Sequence, residues 1–121
     1  MLFTGIVLLD GCSSPSILTD AMINAGLTMA ELDHKKIAAD WATRGFSCDL
    51  WTDPPGQRWE DFRHATDELV TVLEGRMEFE VAGVVHHPQV GEELLIPAGA
   101  VHSARNIGKT TARWLYGYKH G

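Results

Sequence analysis

From Phe46 onward the chain is punctuated at short intervals. Brief apolar runs alternate with Asp53-Pro54-Pro55-Gly56, Glu74-Gly75, Ala82-Gly83, Gly91, Pro97-Ala98-Gly99 and Gly108. Turns spaced about 8–12 residues apart leave room for strands and little for helices, and point to an all-β barrel or sandwich. Within this region Met77, Phe79 and Val81 alternate with Arg76, Glu78 and Glu80, the pattern of a strand with one buried face. Trp114, Tyr116 and Tyr118 alternate in the same way and predict a final strand.

The residues before Phe46 read as helix. Ser14 precedes Pro15, a good N-cap followed by a residue suited to the first helical turn, and Gly26 can end that helix. Thr28-Met29-Ala30-Glu31 is a capping box, which starts a second helix. The stretch Ile37 to Trp41 fits either a continuation of that helix or an extended segment. The expected organisation is therefore a helical N-terminal segment, residues 1–45, packing on a barrel of residues 46–121.

A chain of 121 residues is enough for one domain and too short for two. Its formal net charge is −6, and no Lys or Arg occurs before Lys35. Gripping a phosphate backbone requires a basic stripe, so nucleic acid is excluded as an expected partner. No apolar run approaches the ~20 residues of a membrane span. Leu9-Asp10-Gly11-Cys12 loosely matches a lipoprotein cleavage box, but no positive charge precedes it, as a secretory leader would require. The two cysteines, Cys12 and Cys48, form no CxxC pair and read as free thiols of a reducing compartment. Cys48 reads as a small buried apolar residue. The expected location is the cytoplasm.

The residues that carry chemistry fall in two stretches. Residues 56–75 read GQRWEDFRHATDELVTVLEG, and residues 91–106 read GEELLIPAGAVHSARN. On a strand, residues two apart share a face, so Phe62 and His64 point the same way. Glu68 follows the Ala65-Thr66-Asp67 turn and can fold back beside His64. His102 follows a Pro-x-Gly turn and starts another strand. His64, Glu68 and His102 can then converge in a barrel mouth. Two His and one carboxylate on one side of a metal is the arrangement of non-haem Fe(II) oxygenases, which leaves positions open for substrate and O₂. The same donors suit one divalent Fe, Mn, Ni, Co or Zn ion. Trp59 and Phe62 are candidates for lining an apolar mouth, and Glu60, which shares their strand, is a further candidate as an oxygen ligand or base. The other aromatics, Trp51, Trp114, Tyr116 and Tyr118, read as core and dimer surface. Arg63 and Arg105 have the strand parity that turns them away from the cavity.

These stretches resemble the two signatures of the cupin superfamily. Gly91, Pro97, Gly99, His102 and Asn106 match the second signature completely, a coincidence with a chance probability of roughly 10⁻⁵ from average residue usage. Gly56, His64, Glu68 and Gly75 match the first, with Phe62 where its leading histidine stands. The resemblance implies a small single-domain, RmlC-like cupin: a jelly-roll or double-stranded β-helix barrel with the metal held by His64, Glu68 and His102. It implies a homodimer, since small single-domain cupins commonly pair and a twofold partner covers open sheet edges. The function it implies is a metal-dependent enzyme, of dioxygenase or isomerase type, acting on a small organic molecule. The alternative is a non-catalytic small-ligand-binding or sensing cupin, with or without metal.

Overall fold

The computed structural model describes residues 29–120. The helix expected after Ser14, and Cys12, lie outside the described residues. Helix α1 spans Met29–Thr43, so Ile37–Trp41 is helical. Ala38, Ala39 and Ala42 favour that outcome, because alanine has the highest helix propensity. The helix stops at a left-handed Gly45 (φ 84°). The Phe46 amide donates to the Trp41 carbonyl (2.9 Å) and the Gly45 amide to that of Ala42 (3.1 Å), the two bonds of a Schellman cap.

Eight strands follow among the described residues: β1 Asp49–Asp53, β2 Arg58–Phe62, β3 Glu68–Glu74, β4 Met77–Val81, β5 Val84–His86, β6 Glu93–Ile96, β7 His102–Asn106 and β8 Ala112–Tyr118. They form two four-stranded antiparallel sheets with orders β1-β8-β3-β6 and β2-β7-β4-β5. This is the jelly-roll architecture that the resemblance implied, and it meets the all-β reading of the turn spacing.

Strand β3 explains how helix and barrel meet. All of Glu68 to Val72 is buried, because alternate residues serve two cores. Val70 and Val72 face the barrel interior with Met77, Phe79, Ile96 and Trp114. Leu69 faces the other way and packs with Trp41, Phe46 and Leu115 under α1. Trp41 is 1% exposed, and its indole N–H donates to Glu93 Oε1 on β6 (3.2 Å). The strand pattern expected for Met77–Val81 is present, with Met77, Phe79 and Val81 buried and Glu78 and Glu80 less so.

Register places the chemistry at one end of the sandwich. Glu68 pairs with Tyr118 on β8 and with Ile96 on β6. In the facing sheet His102 pairs with Phe62 and Val81. His64 lies in the β2–β3 connection, and its carbonyl accepts from the Gly99 amide (2.8 Å), fastening that loop to the Pro97-Ala98-Gly99 turn before His102.

Candidate metal centre and aromatic cavity

Glu68 projects from the first residue of β3 and His102 from the first of β7, and both are buried (4% and 7% exposed). His102 Nε2 lies 3.3 Å from Glu68 Oε1, and His64 Nε2 lies 3.6 Å from the same oxygen. One donor atom from each of the three residues fits within a 4.8 Å cluster. Donors bound to one metal at about 2.1 Å sit roughly 3 Å apart, so the observed separations are near those of a ligand set.

Glu68 Oε1 supplies the test of fit. It is buried and accepts no hydrogen bond; the imidazoles are close without being aligned to donate. A buried carboxylate oxygen without a donor is costly, and a cation between it and the two imidazole nitrogens removes the cost. His102 Nδ1 meets the Ala100 carbonyl at 3.0 Å. As a donor there, Nδ1 holds the proton and leaves the Nε2 lone pair free for a metal, the usual outer contact of a ligating histidine. Contact with the Glu68 carboxylate raises the His102 pKa above its ordinary value, against burial, which lowers it. The three residues therefore fit a divalent metal.

Next to this polar corner is a cavity of about 290 Å³. Its lining is largely aromatic: Trp51, Trp59, Phe62, Trp114, Tyr116 and Tyr118, with His64, Glu68 and His102 at one end. Phe62 is 41% exposed at the mouth, its ring stacked 6.4 Å from that of His64. Tyr118 Oη lies 3.4 Å from His64 Nε2. Burial, with the Glu68 charge adding to it, pushes the Tyr118 phenol up to about 12, so it keeps its proton at neutral pH.

Among the sequence candidates, Trp59 and Phe62 line the cavity and Glu60 does not. The reason is a bulge. Asp61 has a positive φ (60°), and the β2–β7 register shifts between Trp59 and Phe62. The extra residue resets the alternation, so Trp59 and Phe62 share a face and Glu60 turns to the opposite one. There Glu60 accepts from Arg105 at 2.8 and 2.9 Å, and the guanidinium holds its carboxyl down to about 2. Arg105 also binds Glu78 (2.7 Å) and Glu80 (2.8 Å) on that outer face, away from the cavity as its parity required. Cys48 is half-buried, and burial pushes its thiol up to about 11.

The sequence assigns Trp51, Trp114, Tyr116 and Tyr118 to core and dimer surface; Trp114 lies in the core with Tyr116 packed against it, and all four also line the cavity. The sequence reading gives Asp53 only a place in the Asp53-Pro54-Pro55-Gly56 turn. That side chain is 1% exposed and accepts three indole N–H bonds, from Trp51 (2.9 Å), Trp59 (3.0 Å) and Trp114 (3.0 Å). The available signal was an acidic residue two positions after Trp51, hence on its face of the strand.

Comparison with known proteins agrees with the geometry. The chain is 34% identical over 76 residues to a protein named polyketide synthase CurC from Streptomyces cyaneus, covering 62% of this chain and 49% of that one. It is 35% identical over 63 residues to protein SchB from Streptomyces halstedii, covering 51% and 46%. The chain thus spans about half the length of the curated relatives it matches. A salicylate 1,2-dioxygenase from Pseudaminobacter salicylatoxidans superposes with a TM-score of 0.58 at 21% identity, over 62% of this chain and 22% of that one, a likeness of fold. In addition, the family profile Cupin_2 (cupin domain) matches residues 49–118, the stretch that holds all eight strands, and by that match the chain belongs to the cupin family.

Proposed function

We propose that this cupin is a metal-dependent enzyme, of dioxygenase or isomerase type, acting on a small phenolic or enolic molecule. The observation that carries the reading is the orphaned Glu68 Oε1, set between two imidazoles at the polar end of an otherwise aromatic cavity. One divalent Fe, Mn, Ni, Co or Zn ion held by His64, Glu68 and His102 would supply Lewis-acid polarisation of a substrate oxygen or a site for O₂. The chain's own contribution is orientation. The aromatic walls take a flat carbon skeleton, and the polar end draws its oxygen toward His64 and His102. The protonated Tyr118 hydroxyl is placed to donate to that oxygen. Exclusion of water by the indoles strengthens each of these contacts. The name of the CurC relative, a polyketide synthase, supports a substrate rich in enolisable or phenolic oxygens.

The same reading places the protein in the cytoplasm and pairs it as a homodimer. Exposed Val84 and Val85 on edge strand β5 support a partner; a monomeric mass by light scattering overturns it. No helix among the described residues is long and apolar enough to cross a membrane.

Phe62, at the position of the first-signature histidine, favours a second reading: a ligand-binding cupin without turnover. Elemental analysis of protein purified without a His-tag, beside His102→Ala, tests both. Near one equivalent of metal, lost in the variant, together with O₂ uptake or isomerisation on a panel of phenols and enols supports the enzyme. Metal-free protein, even after incubation with Fe(II) and Ni(II), withdraws it in favour of the binding module.

A further inference from the structure

Asp53 lies outside the cavity lining, yet it touches three residues that form it. Its Oδ1 accepts from Trp51 and Trp59, and its Oδ2 accepts from Trp114. These indoles come from β1, β2 and β8, so one carboxylate gathers rings from both sheets. The carboxylate is itself fixed: it is buried at the end of β1, and its backbone carbonyl accepts from Asn106 Nδ2 on β7 (3.2 Å). A carboxylate has about four lone-pair positions, and the three indoles take most of them in defined directions.

Two consequences follow for the cavity. Each indole N–H edge is turned toward Asp53, so the wall presents carbon faces and no donors from these rings. Each ring plane is also held, with Trp51 and Trp59 edge to face at 5.7 Å and 74°. A stiff wall of carbon faces discriminates by shape: a flat π-system can lie against it and a puckered ring cannot.

We propose that Asp53 is a positioning residue that sets the ring planes of Trp51, Trp59 and Trp114 and thereby selects flat aromatic ligands over saturated ones of the same skeleton. This rests on the cavity being a ligand site, and is independent of whether the metal is present. The probes are 2-naphthol and decahydro-2-naphthol, titrated calorimetrically into metal-stripped protein.

The parent protein is expected to bind 2-naphthol at least about tenfold more tightly than its saturated counterpart. Asp53→Asn is nearly isosteric but exchanges one acceptor oxygen for an NH₂ that cannot accept. It is expected to lose most of that preference, chiefly through weaker naphthol binding. In the ¹H–¹⁵N spectrum at least one of the three indole N–H signals should shift, with the Trp41 signal unmoved. The double variant D53N/W59F should lose no more preference than Asp53→Asn, because both act through one ring wall. If Asp53→Asn does not fold, Trp59→Phe takes its place and should lower the preference. Unchanged preference in a folded variant, or no preference in the parent, overturns the proposal and leaves Asp53 as a purely structural tie. Metal uptake measured on reconstituted portions of the same samples separates this outcome from failure of the metal reading.

Discussion

Phe62 stands where a fourth ligand would fit. Its Cα pairs with that of His102, and its ring is 6.4 Å from the rings of both His64 and His102. The polar corner is therefore open on the side of the mouth, where a substrate enters. Phe62→His would offer an added imidazole there, and is expected to raise divalent metal affinity by about tenfold or more, as one further metal bond should. Competition against a chelating dye measures it; unchanged affinity would show that position 62 cannot reach the metal. Glu68→Gln tests the opposite change. It removes the buried orphan charge, so metal binding should be lost while the metal-free protein stays within about 1 kcal/mol of the parent by urea melts. The clustering of His64, Glu68 and His102 was legible in the sequence because their spacing is fixed by turns that carry their own signals, Pro97-Ala98-Gly99 before His102 and Ala65-Thr66-Asp67 before Glu68. Asp53 was not, because its meaning depends on Trp59 and Trp114, which only the folded sheets bring to it.

At the scale of elements, the bulge in β2 and the end of α1 show where local reading stops. Simple alternation places Glu60 with Phe62, and one left-handed residue, Asp61, breaks that alternation. Asp is among the few non-glycine residues that tolerate this conformation, so the sequence permitted the bulge without announcing it. The Asp61 amide then donates to Ser103 Oγ at 3.0 Å, which secures the bulge to β7. Asp61→Val should cost about 1–2 kcal/mol from the left-handed strain, whereas Asp61→Gly should be close to neutral; thermal melts of both variants check the contrast. A helix through Met29-Ala30-Glu31 was legible in the sequence, but its length was not, because packing of Trp41 adds to what the alanines favour. Trp41 fills the gap between α1, Leu69 and Leu115. Trp41→Ala should destabilise the protein by about 3–5 kcal/mol, read from chemical denaturation. A cost below 1 kcal/mol would mean that α1 contributes little to the barrel.

Across the whole molecule, two charge clusters add ties between elements on the outer surface. Arg105 joins β7 to Glu60 on β2 and to Glu78 and Glu80 on β4. Arg44 joins the end of α1 to Glu93 on β6, at 2.5 Å. The carboxyls of Glu60, Glu78 and Glu93 are held below their ordinary 4.5, Glu60 at about 2, with hydrogen bonds from Arg105 (Glu60), from His87 and then Arg105 (Glu78) and from Arg44 (Glu93) as the leading cause. A group whose folded pKa is depressed stabilises the fold fully above its unfolded value, and that stability is lost as pH falls toward the folded value. Metal-free protein should therefore lose stability progressively from about pH 4.5 down to about pH 2. The raised His102 has the opposite sign: its contribution is present below about pH 6.5 and fades above, outside this window. Arg105→Gln isolates the sheet cluster. It removes a bond that lowers Glu60 and another that lowers Glu78, so the variant should melt below the parent at pH 6 and approach it at pH 2.5, with the gap in Tm shrinking to under about half. A gap that stays constant across this range would mean that Arg105 acts by covering the sheet with its alkyl stem and not by charge.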